Sequence, residues 1–226
     1  MKKNAFPCWI LTNPRTGSTY LAELLNNTGI FNPRFEEYFT PDFVAAKNGI
    51  PVREAKNRIK AQIRSKRLPR YVKIFLGIFN ELNLNHKFIK SVHPKIKYIR
   101  LRRRDIYANS VSWYIAESTK IWLVRNQAEL KGFTEKRVPF NEKRLIEIYT
   151  RLKKVFCEWD VHLEDCDFVD VFYEDLVASP RAQINKILTF VGANNKNAFK
   201  RVNLIKQTHP QSIELIAKLK KIINED

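Results

Sequence analysis

Glycine is scarce, with 6 in 226 residues. That leaves no Gly-rich linker between domains, and the length suits one large domain with a sizeable core, so residues 1–226 are read as one domain. Cysteine is short too. Cys8, Cys157 and Cys166 form an odd set without a Cys-x-x-Cys pair, which argues against a disulfide framework or structural zinc site and suits a reducing compartment. His86, His93, His162 and His209 are scattered, so no metal is expected and all four are read as surface or packing residues. No stretch approaches the roughly 20 apolar residues of a membrane span. Pro14 and Arg15 end the first apolar run too early for a signal peptide. A cytoplasmic location is expected, and there is no internal repeat or low-complexity tract.

Acidic residues are outnumbered. Lys plus Arg reaches 41 against 23 Asp plus Glu, a net charge of +18. Such a surface draws in polyanions such as nucleotides, nucleic acid or anionic membrane, although a lysine-rich solvated surface gives the same total. The apolar share of 44% is that of a globular protein and argues against disorder.

Cys8–Thr12 is a continuous apolar run, short enough for a buried strand. Further strands are expected at 71–75, 98–101 and 167–173. Between them lie helical patterns. Tyr20, Leu21, Leu24 and Leu25 follow a turn at 13–17, with Ser18 or Thr19 as cap and Gly29 as a left-handed stop. Val52 to Ser65 is helical, Asp105 caps a helix through Trp113, and Asn141 caps one carrying Leu145 to Trp159. Ser179-Pro180 opens another, which Gly192 stops, and a last amphipathic helix follows from Ile213. Strands alternating with helices predict an α/β fold, a P-loop-like three-layer sandwich whose central, mostly parallel sheet is flanked by helices. Ligands bind such sheets at the carboxyl ends of the strands.

Two motifs sit at those ends. In the first, Asn13-Pro14-Arg15-Thr16-Gly17-Ser18-Thr19 joins a strand to a helix. A helix start offers unsatisfied N–H groups and a positive dipole end. Arg15 adds a cation, and Thr16, Ser18 and Thr19 add hydroxyls, making a cradle for phosphate or sulfate. The Gly-x4-Gly-Lys-Ser/Thr loop is absent, which disfavours ATP or GTP hydrolysis. In the second, Arg102-Arg103-Arg104-Asp105 ends a strand, and Ser112 lies two turns into the next helix. An arginine fork here grips a second phosphate through parallel hydrogen bonds. Two cradles on neighbouring strand ends suit a nucleotide phosphorylated at both its 5′ and 3′ ends.

These segments resemble the sulfotransferases that use 3′-phosphoadenylyl sulfate (PAPS), and most of all the bacterial carbohydrate sulfotransferases of the trehalose and Nod-factor type. Arg15–Thr19 is similar to the family's 5′-phosphosulfate loop. Arg102–Asp105 with Ser112 is similar to its 3′-phosphate strand and helix. Glu37-Tyr38-Phe39, Trp122, Tyr173-Glu174-Asp175-Leu176 with Pro180, and Phe190-Val191-Gly192 also match its pattern, whereas Pro41 to Arg70 and the C-terminal tail match poorly.

The resemblance implies transfer of a sulfuryl group from PAPS, as co-substrate, to a hydroxyl on a carbohydrate or glycolipid, without a metal. Arg15 and the following N–H groups then stabilise the leaving phosphate. Glu37 is the general base, with Glu36 as rival. Arg103 and Ser112 hold the 3′-phosphate, with Arg102 and Arg104 as alternates, and Glu174 and Asp175 brace the turn after their strand. Lys73 either faces the active site or is solvated. No specific nucleic-acid partner is expected, while peripheral membrane contact and a homodimer are compatible with the sequence. The competing readings are a small P-loop-like kinase, which lacks its phosphate-loop Lys, and a basic nucleic-acid-binding module, which gives no reason for Arg15–Thr19 at a helix start.

Overall fold

Four short segments form the strands β1 (Cys8–Thr12), β2 (Tyr71–Phe75), β3 (Lys97–Arg102) and β4 (Phe168–Phe172). The computed structural model describes residues 6–31, 40–65, 71–193, 199–200, 202 and 205–225. Within them the helices are α1 (Ser18–Asn27), α2 (Pro41–Asn48), α3 (Val52–Arg64), α4 (Leu76–Glu81), α5 (His86–Val92), α6 (Ile106–Thr119), α7 (Gln127–Glu135), α8 (Glu142–Leu163), α9 (Tyr173–Ala178), α10 (Pro180–Phe190) and α11 (Ser212–Glu225). The fold is α/β, a parallel sheet flanked by helices. Two compact units compose the chain: Met1–Arg102 with Glu158–Val202, and Arg103–Cys157 with Asn203–Asp226.

The first unit holds the sheet, in the order β2-β1-β3-β4 with every neighbouring pair parallel. All five β1 residues are buried, as a central strand covered on both faces requires. Register partners Ile10, Lys73 and Ile99 share one face. There Cys8, Ile10, Ile99, Leu101, Val169 and Val171 pack with Leu21, Leu24 and Leu25 of α1, Leu176 of α9 and Ile184, Ile187 and Leu188 of α10. Burial pushes the Cys8 thiol far up, so it stays a thiol and packs as a small hydrophobe. On α8, Trp159 and His162 pack edge-on against Phe79 of α4.

The second unit is helical. Its core joins Val111, Tyr114 and Ile115 of α6, Phe133 of α7, Leu145, Ile148 and Leu152 of α8, and Leu215 and Leu219 of α11. His209 is buried and packs against Phe133. The Gln211 N–H donates to its Nδ1 (3.2 Å), so Nε2 carries the proton and donates to the Lys136 carbonyl (3.0 Å). With both ring nitrogens bonded inside the protein, this histidine has a packing role.

Three details depart from the sequence reading. Gly17, not Ser18 or Thr19, occupies the cap of α1. Tyr173 starts α9 and does not extend β4, because the β3 ladder ends at Arg102↔Phe172 and gives it no strand partner. The short helices α2, α4, α5, α7 and α9 carry too few turns for a clear apolar stripe. Asn85 and Asn126 nevertheless mark two of them by accepting bonds from the Phe88 and Glu129 N–H groups (both 2.8 Å).

Candidate active site

The β1–α1 connection is held open from within. Thr16 is fully buried, and its hydroxyl donates to the Asn13 carbonyl (2.9 Å). The Thr12 hydroxyl lies 2.5 Å from that of Thr16 and 3.2 Å from the Leu101 carbonyl, tying the loop to the end of β3. The Thr16 side chain is therefore part of the loop's frame. Arg15 (φ +64°) and Gly17 (φ +82°) are both left-handed, and alternation of hand along a turn gathers N–H groups into an anion-binding concavity.

Gly17 is required twice over, by its φ and by its neighbour. A Cβ there would lie 2.4 Å from Cδ2 of Tyr173, so only glycine lets that ring lie against the loop. The first bond of α1 runs from the Leu21 N–H to the Gly17 carbonyl (3.0 Å), which leaves the first-turn amides without an intrahelical acceptor. The first turn carries no acidic residue, so no carboxylate of its own offsets the positive helix end. Asn13 is 2% exposed, and its Nδ2 has no hydrogen-bond partner among the described residues. An orphaned buried donor beside a helix start fits an anionic ligand, because leaving it unmade costs about 1–3 kcal/mol.

Lys73 is buried rather than solvated. It shares the sheet face of Ile10, two register pairs before Thr12↔Phe75 ends that ladder. On the opposite face, Arg100 donates from Nε and Nη2 to the two Asp170 oxygens (2.6 and 2.7 Å) and from Nη1 to Asp160. Arg102 donates to Asp170 Oδ2 (3.2 Å) and lies over the Phe172 ring. Burial opposes ionisation of Asp170, but hydrogen bonds and charge from Arg100 and Arg102 outweigh it and hold the carboxyl below its ordinary value.

In the second unit, Asp105 caps α6 by accepting from the Ala108 N–H (2.8 Å). Arg103, just before that helix, and Ser112, two turns into it, are half-buried, and Arg104 is exposed. Ser112 lies seven residues beyond Asp105, so both fall on one side of the helix. Trp122 is 46% exposed. Glu36 and Glu37 lie outside the described residues. The sequence places Asn13 and Tyr173 within named motifs but assigns neither a role of its own. Their signals were an amide ending an apolar strand and a tyrosine opening the Tyr-Glu-Asp-Leu segment.

The Stf0 sulphotransferase family model matches residues 54–221. The chain belongs to the Stf0 sulphotransferase family. The match takes in β2 to β4, the Arg103–Ser112 segment and Tyr173, while the β1–α1 loop precedes it. This Stf0 member is a sulfotransferase enzyme. Among solved structures it is similar to a sulfotransferase from Alicyclobacillus acidocaldarius, with a TM-score of 0.50 and 14% identity over 97% of this chain and 96% of that one. It is also similar to retinol dehydratase in a complex with retinol and PAP, with a TM-score of 0.50 and 14% identity over 96% of this chain and 80% of that one. These likenesses show a shared fold. A search of curated proteins finds no significant relative.

Proposed function

We propose that this sulfotransferase takes its sulfuryl group from PAPS and delivers it to a hydroxyl on a carbohydrate or glycolipid. The observation that carries the donor is the β1–α1 loop: a left-handed Arg15, a Gly17 pressed on Tyr173, an orphaned Asn13 donor and a helix start without carboxylates. Family membership supports it, as does the PAP complex of the structurally similar retinol dehydratase. The Arg15 guanidinium, the amides of Thr16 to Thr19 and the Ser18 and Thr19 hydroxyls bind the 5′-phosphosulfate. Arg103 and Ser112 bind the 3′-phosphate. Arg102 suits that role less, because Asp170 and Asp160 already engage it.

The acceptor oxygen attacks sulfur in line with the S–O bond to phosphate. That bond breaks, its electron pair passes to the phosphate, and adenosine 3′,5′-bisphosphate leaves. The hydroxyl proton goes to a carboxylate, assigned to Glu37. The moving group carries less negative charge than a phosphoryl group, so positioning and fixed positive groups supply the catalysis.

The donor assignment predicts a nucleotide preference. At about a hundredfold excess over its dissociation constant, adenosine 3′,5′-bisphosphate stabilises the fold by about 2.7 kcal/mol. Thermal melting then rises by about 5–10 °C, while AMP at equal concentration gives a much smaller shift. Equal shifts from the two nucleotides would refute the 3′-phosphate assignment. The base is tested separately: Glu37→Gln is expected to lower kcat by about a hundredfold or more with nucleotide binding intact, and Glu36→Gln to have a mild effect. The opposite ranking assigns the base to Glu36.

A further inference from the structure

Helix α3 (Val52–Arg64) carries Arg53, Lys56, Arg58, Lys60 and Arg64 against one carboxylate, Glu54. Its apolar residues Ala55, Ile59 and Ile63 are buried within the first unit. Two of the cations are partnered: Arg58 with Glu54 (2.6 Å) and Lys56 with Glu81 of α4 (2.9 Å). Arg53, Lys60 and Arg64 have no acidic partner among the described residues. At 100° per residue these three, with Asn57, fall on one narrow outward stripe. Along the axis they stand about 10 Å and about 6 Å apart, at a rise of about 1.5 Å per residue. Holding three like charges in a row costs self-repulsion that a bound polyanion relieves.

From this row we infer a binding surface for an anionic polysaccharide, which places the acceptor of the proposed sulfuryl transfer among charged glycans and rests on that reading. The helix contains no aromatic residue, so it has no platform for stacking bases, as single-stranded nucleic acid recognition uses. Ala55, Ile59 and Ile63 of its apolar stripe are turned inward and only Val52, at the first position, is exposed, so it has too little apolar surface to insert between lipid headgroups, as an interfacial helix does. A row of separated, fully ionic contacts matches a chain with about one carboxylate or sulfate per sugar unit, gripped by charge and without base or acyl contacts.

The test compares the wild-type chain with the triple variant Arg53→Gln, Lys60→Gln, Arg64→Gln. Glutamine keeps helix propensity at these surface positions. Fluorescence anisotropy would follow a labelled oligogalacturonate, with neutral maltooligosaccharide, a poly-dT oligonucleotide and phosphatidylserine-containing vesicles as separate arms. The wild-type protein should bind the oligogalacturonate and ignore the neutral sugar. Binding should weaken steeply with salt, and the variant should bind at least about tenfold more weakly with a salt slope reduced by about two to three. Both proteins should keep the same melting shift with adenosine 3′,5′-bisphosphate, which shows the variant is folded. Equal oligogalacturonate affinity in the two proteins overturns the proposal. So does oligonucleotide or vesicle binding tighter than that of the oligogalacturonate and lost in the variant. Oligogalacturonate binding by a protein that ignores adenosine 3′,5′-bisphosphate counts against the donor reading and leaves this surface standing.

Discussion

Replacing Arg15 with alanine is expected to lower kcat by at least about a hundredfold, and by about a thousandfold if its charge acts mainly on the transition state. Nothing else in the loop supplies a permanent cation: Asn13, Thr16, Ser18 and Thr19 are neutral, and Gly17 brings only backbone. The fold should survive, because Arg15 is half-buried and the frame of the loop is built from Thr12, Thr16 and the Leu101 carbonyl. A second variant isolates the cost of the backbone. Arg15 holds φ +64°, a conformation that costs an L-residue about 1–2 kcal/mol and costs glycine almost nothing. Arg15→Gly should therefore be as inactive as Arg15→Ala yet melt a few degrees higher than Arg15→Ala. Steady-state kinetics and thermal melts of the two proteins measure both quantities. Full turnover in either one removes Arg15 from the mechanism.

The second large effect is on stability. Asp170→Asn is expected to destabilise the protein by about 3 kcal/mol and lower its melting temperature by about 10 °C. The reason is asymmetry of exposure. The Arg100 side chain is 6% exposed and relies on Asp170 for two of its three hydrogen bonds to carboxylates. Asparagine keeps the size but not the charge, so the buried guanidinium loses its closest counter-ion. Asp160 is 57% exposed, and Asp160→Asn should cost under about 1 kcal/mol because water screens it. The pH dependence has a definite sign. The Asp170 carboxyl titrates below its ordinary value of 3.8 in the folded protein. Its stabilisation is therefore present above that value and lost as pH falls through the lower folded value. Melts from about pH 7 to about pH 2.5 should show the wild-type and Asp170→Asn curves well apart near neutrality and converging in acid. Curves that stay parallel throughout would show that Asp170 does not act through its charge.

The sheet was readable because burial on both faces leaves short, mostly apolar runs such as Cys8–Thr12 and Tyr71–Phe75, the second broken only by Lys73. The longer helices were readable from stripes such as Leu145, Ile148 and Leu152. Short helices were not, since α4 and α9 have six residues each and periodicity needs two turns to register. At the loop, sequence placed Arg15 to Thr19 at a helix start but misjudged which groups face outward. A threonine hydroxyl reads the same whether it binds ligand or braces a turn, and the full burial of Thr16 decides between them. The approach of Tyr173 to Gly17 joins residues more than 150 positions apart, which no local pattern encodes. The Arg100–Asp170 pair escaped for the same reason: it is set by the pairing of β3 with β4.

The central place of β1 in the sheet bears on how the protein comes off the ribosome. Its two neighbours are β2 and β3, and the Leu101 carbonyl that steadies the loop lies 89 residues beyond Thr12. Among the four described strands β1 is made first, and it has no partner until β2 follows about 60 residues later and no second neighbour until β3 follows about 90 residues later, about 5–20 s at ordinary elongation rates. During that interval the nascent segment is open to chaperones and to mispairing. Slowed translation after residue 12 should therefore lower soluble yield more than slowing it beyond residue 172.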